Sequence, residues 1–276
     1  MSAHTSDRAV LSPQVEVKPV SFPRVLHSEW VKLWSLRSTY WTVFATLGAM
    51  VLFAVLIGLS ANIEESEAAA DGEMAIGIGY YFAQVVVAVL GVLTITGEYT
   101  TGMIRSTLAA VPARVPALAA KAVVVAAVGF VLGVVGVALA YLASYPFFGE
   151  DAAPLADPEI QRIFWGTGLY LAGVGLLGLG LGAILRHTAG AVTLILGVLL
   201  MLPTLWQLLM SASDWFLTSL PYLPSLAGER IATPAIADTG AEGIQALSPW
   251  AGFGVFMVYV LLTFGVAALL LRRRDA

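Results

Sequence analysis

The sequence contains no cysteine. Disulfides, thiolate nucleophiles and cysteine metal sites are therefore excluded, and the redox compartment stays open. Charge is scarce. Only 12% of the 276 residues are Asp, Glu, Lys or Arg, against about 25% in soluble domains. Histidine is rarer still: His4, His27 and His187 all lie outside the apolar runs. Proteolysis inside a membrane would then have no imidazole to pair with a nucleophile. No G-x-x-x-x-G-K-S/T phosphate loop occurs, so the chain does not bind ATP by that motif. The first 23 residues hold no apolar stretch of the signal-peptide kind, and no cleavable leader is expected. Residues 1–22 are polar and punctuated by proline, which reads as a disordered tail.

What the chain has in abundance is apolar sequence. Hydrophobic residues make up 59% of it, with a mean hydropathy of +0.86. They gather into runs of about 20 or more, the length that crosses a hydrocarbon core of roughly 30 Å. Six spans are predicted, over residues 40–61, 75–96, 117–144, 164–185, 189–210 and 250–271. Residues 23–276 thus read as one all-α, six-span membrane domain. The fourth and fifth spans are separated by Arg186, His187 and Thr188 alone, which predicts a tight hairpin.

Orientation follows from the basic residues. With the N-terminus inside, 12 of the 14 Lys and Arg residues fall on the inner side, and Arg162 and Arg230 on the outer. Thirteen of the 18 acids fall outside. Both termini are expected in the cytoplasm of a multi-pass cell-membrane protein. The adjacent pair Glu64–Glu65 has no histidine near it and reads as a solvated face rather than a metal site.

Two inner segments stand out. The first, RVLHSEWVKLWSLRS from Arg24 to Ser38, places Leu26, Trp30, Leu33 and Trp34 on one helical face. Glu29 and Lys32 supply polar positions, and Arg37 closes the expected helix. A basic amphipathic helix with tryptophans suits a flat position at the membrane interface; the plain alternative is an ordinary flank of the first span. The second, GEYTTGMIRSTLAAVPARVPALAAK from Gly97 to Lys121, joins the second and third spans. Residues 103–111 can form a short helix, which Pro112 and Pro116 would stop. Such a helix, held between two spans, can be pushed from outside the membrane. An ordinary loop is the competing reading. Glu98 marks the water boundary, or anchors this loop by pairing with Arg105 or with a cation of the entry helix.

The spans themselves carry mild chemistry. Gln84 accompanies Tyr80 and Tyr81 in the second span, and Gln207 lies near Pro203 and Trp206 in the fifth. Each glutamine either bonds a neighbouring helix or lines a path. No ionisable group is kept at the centre of a span, where it would cost roughly 2.5–3.5 kcal/mol. That argues against an ion-coupled carrier and a voltage sensor. Gly129 with Gly133, and Gly178 with Gly182, form small-xxx-small pairs suited to close helix packing. The long outer segment 211–249 carries an apolar stretch around Trp215 to Leu223, read as a hairpin lid or as an aromatic anchor.

Three segments resemble the permease subunits of bacterial ABC-2 type exporters. They are SEWVKLWSLRSTYW (Ser28 to Trp41), the Gly97–Lys121 stretch with its Gly102, Arg105 and Pro112-x-Arg114, and LSPWAGFGVFMVYV (Leu247 to Val260) before a final RRRDA. The resemblance implies a half-transporter that pairs with a second permease, as homodimer or heterodimer, and docks two cytoplasmic ABC ATPase subunits. By analogy the entry helix is a connecting helix, and Met103 belongs to a coupling helix. The same analogy places Glu98, Gly102, Arg105, Pro112 and Arg114 at the ATPase contact, and the second and fifth spans, with Gln84 and Gln207, beside the pathway. ATP and Mg²⁺ would sit on the partner, so no cofactor is expected on this chain, and no nucleic acid. Cargo of the drug, lipid or peptide class would move outward. Two rivals stay open: a non-transporting anchor or sensor that recruits the ATPase, and a membrane enzyme, for which no catalytic constellation is present.

Overall fold

Within a hydrocarbon layer a single crossing segment has to pair its own backbone groups, and a helix does so. The structure, a computed structural model, describes residues 20–61, 72–111, 113–149, 152–234 and 246–273. Among the described residues it is helical with no strand. Six helical segments are long and apolar enough to cross a membrane, the build of a multi-pass membrane protein. The tail expected to be disordered, up to residue 19, and the acid pair at 64–65 lie outside the described residues.

In chain order, α1 (Phe22–Ser35) precedes the first span, α2 (Arg37–Ala61). Arg37 was expected to close the entry helix, but it opens α2. Leu36 has extended backbone and ends α1 before it, because two helices at different angles need a non-helical residue between them. The second span is broken: α3 (Gly72–Gly77) and α4 (Tyr80–Thr101) meet at Ile78 and Gly79. Next come α5 (Met103–Ala110) and the third span, α6 (Val115–Phe148). α5 ends ahead of Pro116, and Pro116 itself lies in the first turn of α6. There no N–H partner is required, so its missing donor costs nothing.

The fourth span, α7 (Pro158–Leu185), likewise starts on a proline and is capped by the Asp157 carboxylate, which accepts from the Glu159 N–H at 2.7 Å. The predicted hairpin follows. Arg186 turns the chain in the left-handed region at φ 55°, and the His187 imidazole accepts from the Gly190 N–H at 3.1 Å. The fifth span is α8 (Thr188–Leu196), a π turn over Gly197–Met201, and α9 (Leu202–Leu209). Beyond it lie α10 (Asp214–Ser219), α11 (Pro224–Glu229) and the last span, α12 (Pro249–Arg273).

The core is built around α7, the most buried span, packed by α4, α6 and α12. Glycine makes this possible. A Cβ on Gly91 would lie 2.1 Å from the Gly175 carbonyl oxygen, and one on Gly178 2.4 Å from that of Ala88. The two sequence pairs thus both sit in helix contacts, Gly129 and Gly133 of α6 against α7, Gly178 and Gly182 of α7 against α4. The fifth span is the least buried of the six.

Candidate functional site

The site is built where the second span ends. Thr101 is the last residue of α4, and Gly102 turns the chain at φ 73°. No atom lies within 4 Å of a Cβ placed there, so the backbone conformation, not crowding, calls for glycine. α5 then turns Ile104 and Thr107 inward and leaves Met103, Arg105, Ser106, Ala109 and Ala110 exposed. The interval between the second and third spans is therefore a helix, and Pro112 in it lies outside the described residues.

Beneath α5 four charged side chains meet. The Lys121 ammonium of α6 donates to Glu29 Oε2 at 2.5 Å and to Glu98 Oε1 at 2.6 Å. Lys32 donates to Glu29 Oε1 at 2.7 Å, Glu98 Oε1 at 3.0 Å and the Thr107 hydroxyl at 3.1 Å. One network thus ties α1, α4, α5 and α6 together. Glu29, Glu98 and Lys121 are all less than 5% exposed. Two acids face two cations, so the buried charge sums to zero. Burial works against a charge on Lys32, but the Glu29 and Glu98 carboxylates outweigh it and hold Lys32 above its ordinary value. Glu98 Oε2 is buried without a partner, which leaves one strong acceptor facing the interior of the junction.

Of the partners open to Glu98 in the sequence, the structure shows the entry-helix cation Lys32 and not Arg105. Sequence reasoning missed that Glu29 and Lys121, 92 positions apart, form a buried ion pair. The available signal was a lysine inside an apolar run, where a lone charge is costly. Arg105 is exposed and makes no side-chain bond among the described residues. Arg114 is engaged within the chain, where its guanidinium donates to the Leu271 carbonyl at 3.1 Å, near the C-terminal end of α12.

α1 lies against α6 and α2. It buries Val25, Glu29 and Leu33, a face displaced from the Leu26–Trp30–Leu33–Trp34 stripe read from the sequence. Leu33 is common to both. Leu26 and Trp34 are half-buried at the edge, and Trp30 is exposed. The face that meets protein is the one carrying the ion-pairing glutamate.

A second polar cluster lies far from this one along the spans. The Tyr170 hydroxyl donates to Gln84 Oε1 at 2.5 Å, and both side chains are fully buried. The Tyr80 ring meets the Tyr170 ring edge-on at 5.7 Å. Glu229, at the end of α11, faces the Tyr80 hydroxyl, which donates to it. Sequence reading placed Glu229 among the outer-loop acids. The chain instead folds 220–234 back onto the bundle. Leu220, Leu223, Pro224 and Ala227 are buried, and Arg162 donates to the carbonyls of Arg230, Ile231 and Thr233 at 3.0 Å each. Trp215 and Tyr222 remain exposed, so the segment is a packed hairpin that also presents aromatic rings. Of the residues expected beside a pathway, Tyr80 and Gln84 are in this cluster and buried. Tyr81 is exposed, Pro203 is buried on α9, and Gln207 is exposed on α9.

Burial pushes the Glu229 carboxyl up to about 7, against the Tyr80 hydrogen bond and the Arg230 charge. The folded protein therefore holds this proton more tightly than the unfolded chain. Stability falls as pH rises from about 4.5 to about 7, by roughly 3 kcal/mol at most. The melting temperature in detergent is expected to drop by several degrees between pH 5 and pH 8. Glu229→Gln should flatten that slope. An unchanged slope in the variant would assign the pH dependence to other groups.

Compared with protein-family models and with the curated proteins, the sequence matches none.

Proposed function

We propose that the chain is the membrane permease subunit of an ATP-driven ABC-2 type exporter. It sits in the cell membrane with both termini in the cytoplasm, as the distribution of basic residues supports. α1 lies at the inner interface and α5 is the contact for a cytoplasmic ABC ATPase. ATP and Mg²⁺ bind on that partner. The observation that carries the reading is the mechanical continuity of α5. Its outer face is free, with Arg105 exposed, and its inner face is tied through Thr107 and Lys32 to α1, α4 and α6. A push on α5 is therefore transmitted to α1 and to the second and third spans rather than absorbed by a loop. Two permeases, identical or different, enclose a path for an apolar or amphipathic compound of the drug, lipid or peptide class.

The test begins with the genes beside this one, where the reading expects a frame carrying the G-x-x-x-x-G-K-S/T phosphate loop of an ATPase. Co-expressed and solubilised, the two proteins are expected to purify together. Arg105→Glu should weaken that association about tenfold, equivalent to 1.4 kcal/mol, without lowering the amount of inserted permease. Undiminished association in the variant removes α5 from the contact. Association that persists while reconstituted vesicles export nothing assigns the chain to the anchor or sensor class.

A further inference from the structure

Between α1, α2 and α6 the protein leaves a groove of about 220 Å³, lined by apolar and aromatic side chains. Trp30 and Trp34 of α1 form one wall, Val43 and Leu47 of α2 a second, and Val131 and Val135 of α6 the floor. Along α6 it runs from Ala127 to Val135, about 12 Å at 1.5 Å per residue. It begins six residues beyond Lys121, above the buried ion network. That length is close to half of a hydrocarbon core of roughly 30 Å, so the groove spans one leaflet.

The charge at its mouth is one-sided. Glu29 and Glu98 are the acids at this end of the bundle among the described residues, and Lys32 and Lys121 neutralise both. Arg37, exposed at the elbow between α1 and α2, has no side-chain partner among the described residues. One helical turn further on, the Tyr40 ring meets the Trp34 ring at 5.7 Å. Arg37 thus lies in the chain midway between Trp34 and Tyr40, two amphipathic rings of the kind that settle at headgroup level, and Trp34 also lines the slot.

The geometry points to a bound phospholipid: one acyl chain lies in the groove and an anionic phosphate headgroup pairs with Arg37. A guanidinium matches a phosphate in bidentate fashion, and an aliphatic chain completes the packing that α1 and α6 leave open. The side of the membrane follows the proposed orientation, but lipid retention is read without the ATPase and without reference to it. The two readings therefore fail separately.

The experiment is native mass spectrometry of the full chain, purified in mild detergent from a membrane containing phosphatidylethanolamine and phosphatidylglycerol. The wild type is expected to retain one phospholipid per chain, enriched in phosphatidylglycerol roughly fivefold over the membrane, the preference one basic residue supplies near a surface. Arg37→Gln should keep the lipid and lose the enrichment. Val131→Trp replaces a side chain that is 55% exposed and should fill the groove and lose the lipid while the protein stays folded. Retention of lipid that neither variant changes would mean ordinary exchange with the surrounding bilayer and overturns the proposal. So would a wild type that carries no lipid, or a Val131→Trp protein that loses a second copy of the chain instead.

Discussion

Lys121→Met is expected to destabilise the protein by about 3–5 kcal/mol, the usual cost of removing one partner from a buried ion pair. The reason lies in what stays behind. Glu29 and Glu98 would share Lys32 alone, and Lys32 is about one third exposed. One carboxylate would then be buried without a counter-ion, at the junction of four helices. The double variant Lys121→Met with Glu98→Gln leaves Glu29 facing Lys32, a neutral pair, and should recover much of the loss. Thermal unfolding in detergent reads the wild type, Lys121→Met, Glu98→Gln and the double variant, and the non-additivity of this cycle measures the coupling. On the proposed function, the single variant should also weaken stimulation of the ATPase partner more than it lowers the yield of folded chain. Additive losses in the double variant would show that Glu98 and Lys121 act independently.

That network also marks where the sequence could be read and where it could not. The six spans were legible because a long apolar run in a helix has few alternatives; α2, α4, α6, α7, the α8–α9 segment and α12 all fall where the hydropathy put them. The short helix between the second and third spans was legible from the prolines that follow it. Partnership was not. Lys121 reads as the inner end of a span, Glu29 as a polar position on an amphipathic helix, and nothing in a single chain joins positions 92 residues apart. The face of α1 was misjudged for a related reason. Hydropathy finds the stripe most apolar in itself, whereas the bundle took the neighbouring stripe, on which Glu29 could reach Lys121. Glu229 was hidden by its neighbourhood of loop residues, since burial of the 220–234 hairpin depends on Arg162 and on the face of α7 that receives it. Tyr170, the partner of Gln84, carried no signal because a tyrosine in an apolar helix is unremarkable.

Gly133→Leu should abolish the folded protein, and the argument runs through backbone rather than side chains. A Cβ at Gly133 would lie 2.6 Å from Gly168 Cα and 2.7 Å from the Thr167 carbonyl oxygen. Gly168 faces back with the Phe130 carbonyl oxygen 2.9 Å from its own Cβ position. The two helices are in backbone contact, so no rotamer can move aside and α6 and α7 have to separate. Overpacking a core with flexible neighbours costs about 1–3 kcal/mol; here the whole α6–α7 contact is lost, and with it the seat of Lys121 and the floor of the apolar groove. A leucine at Gly254 of α12 serves as the control. No atom lies within 4 Å of a Cβ there, and replacing helical glycine gains up to about 1 kcal/mol. Monodisperse protein in fluorescence-detected size exclusion is expected for Gly254→Leu and aggregated material for Gly133→Leu. A monodisperse Gly133→Leu protein with wild-type melting temperature would refute the close α6–α7 packing on which the rest of the bundle is built.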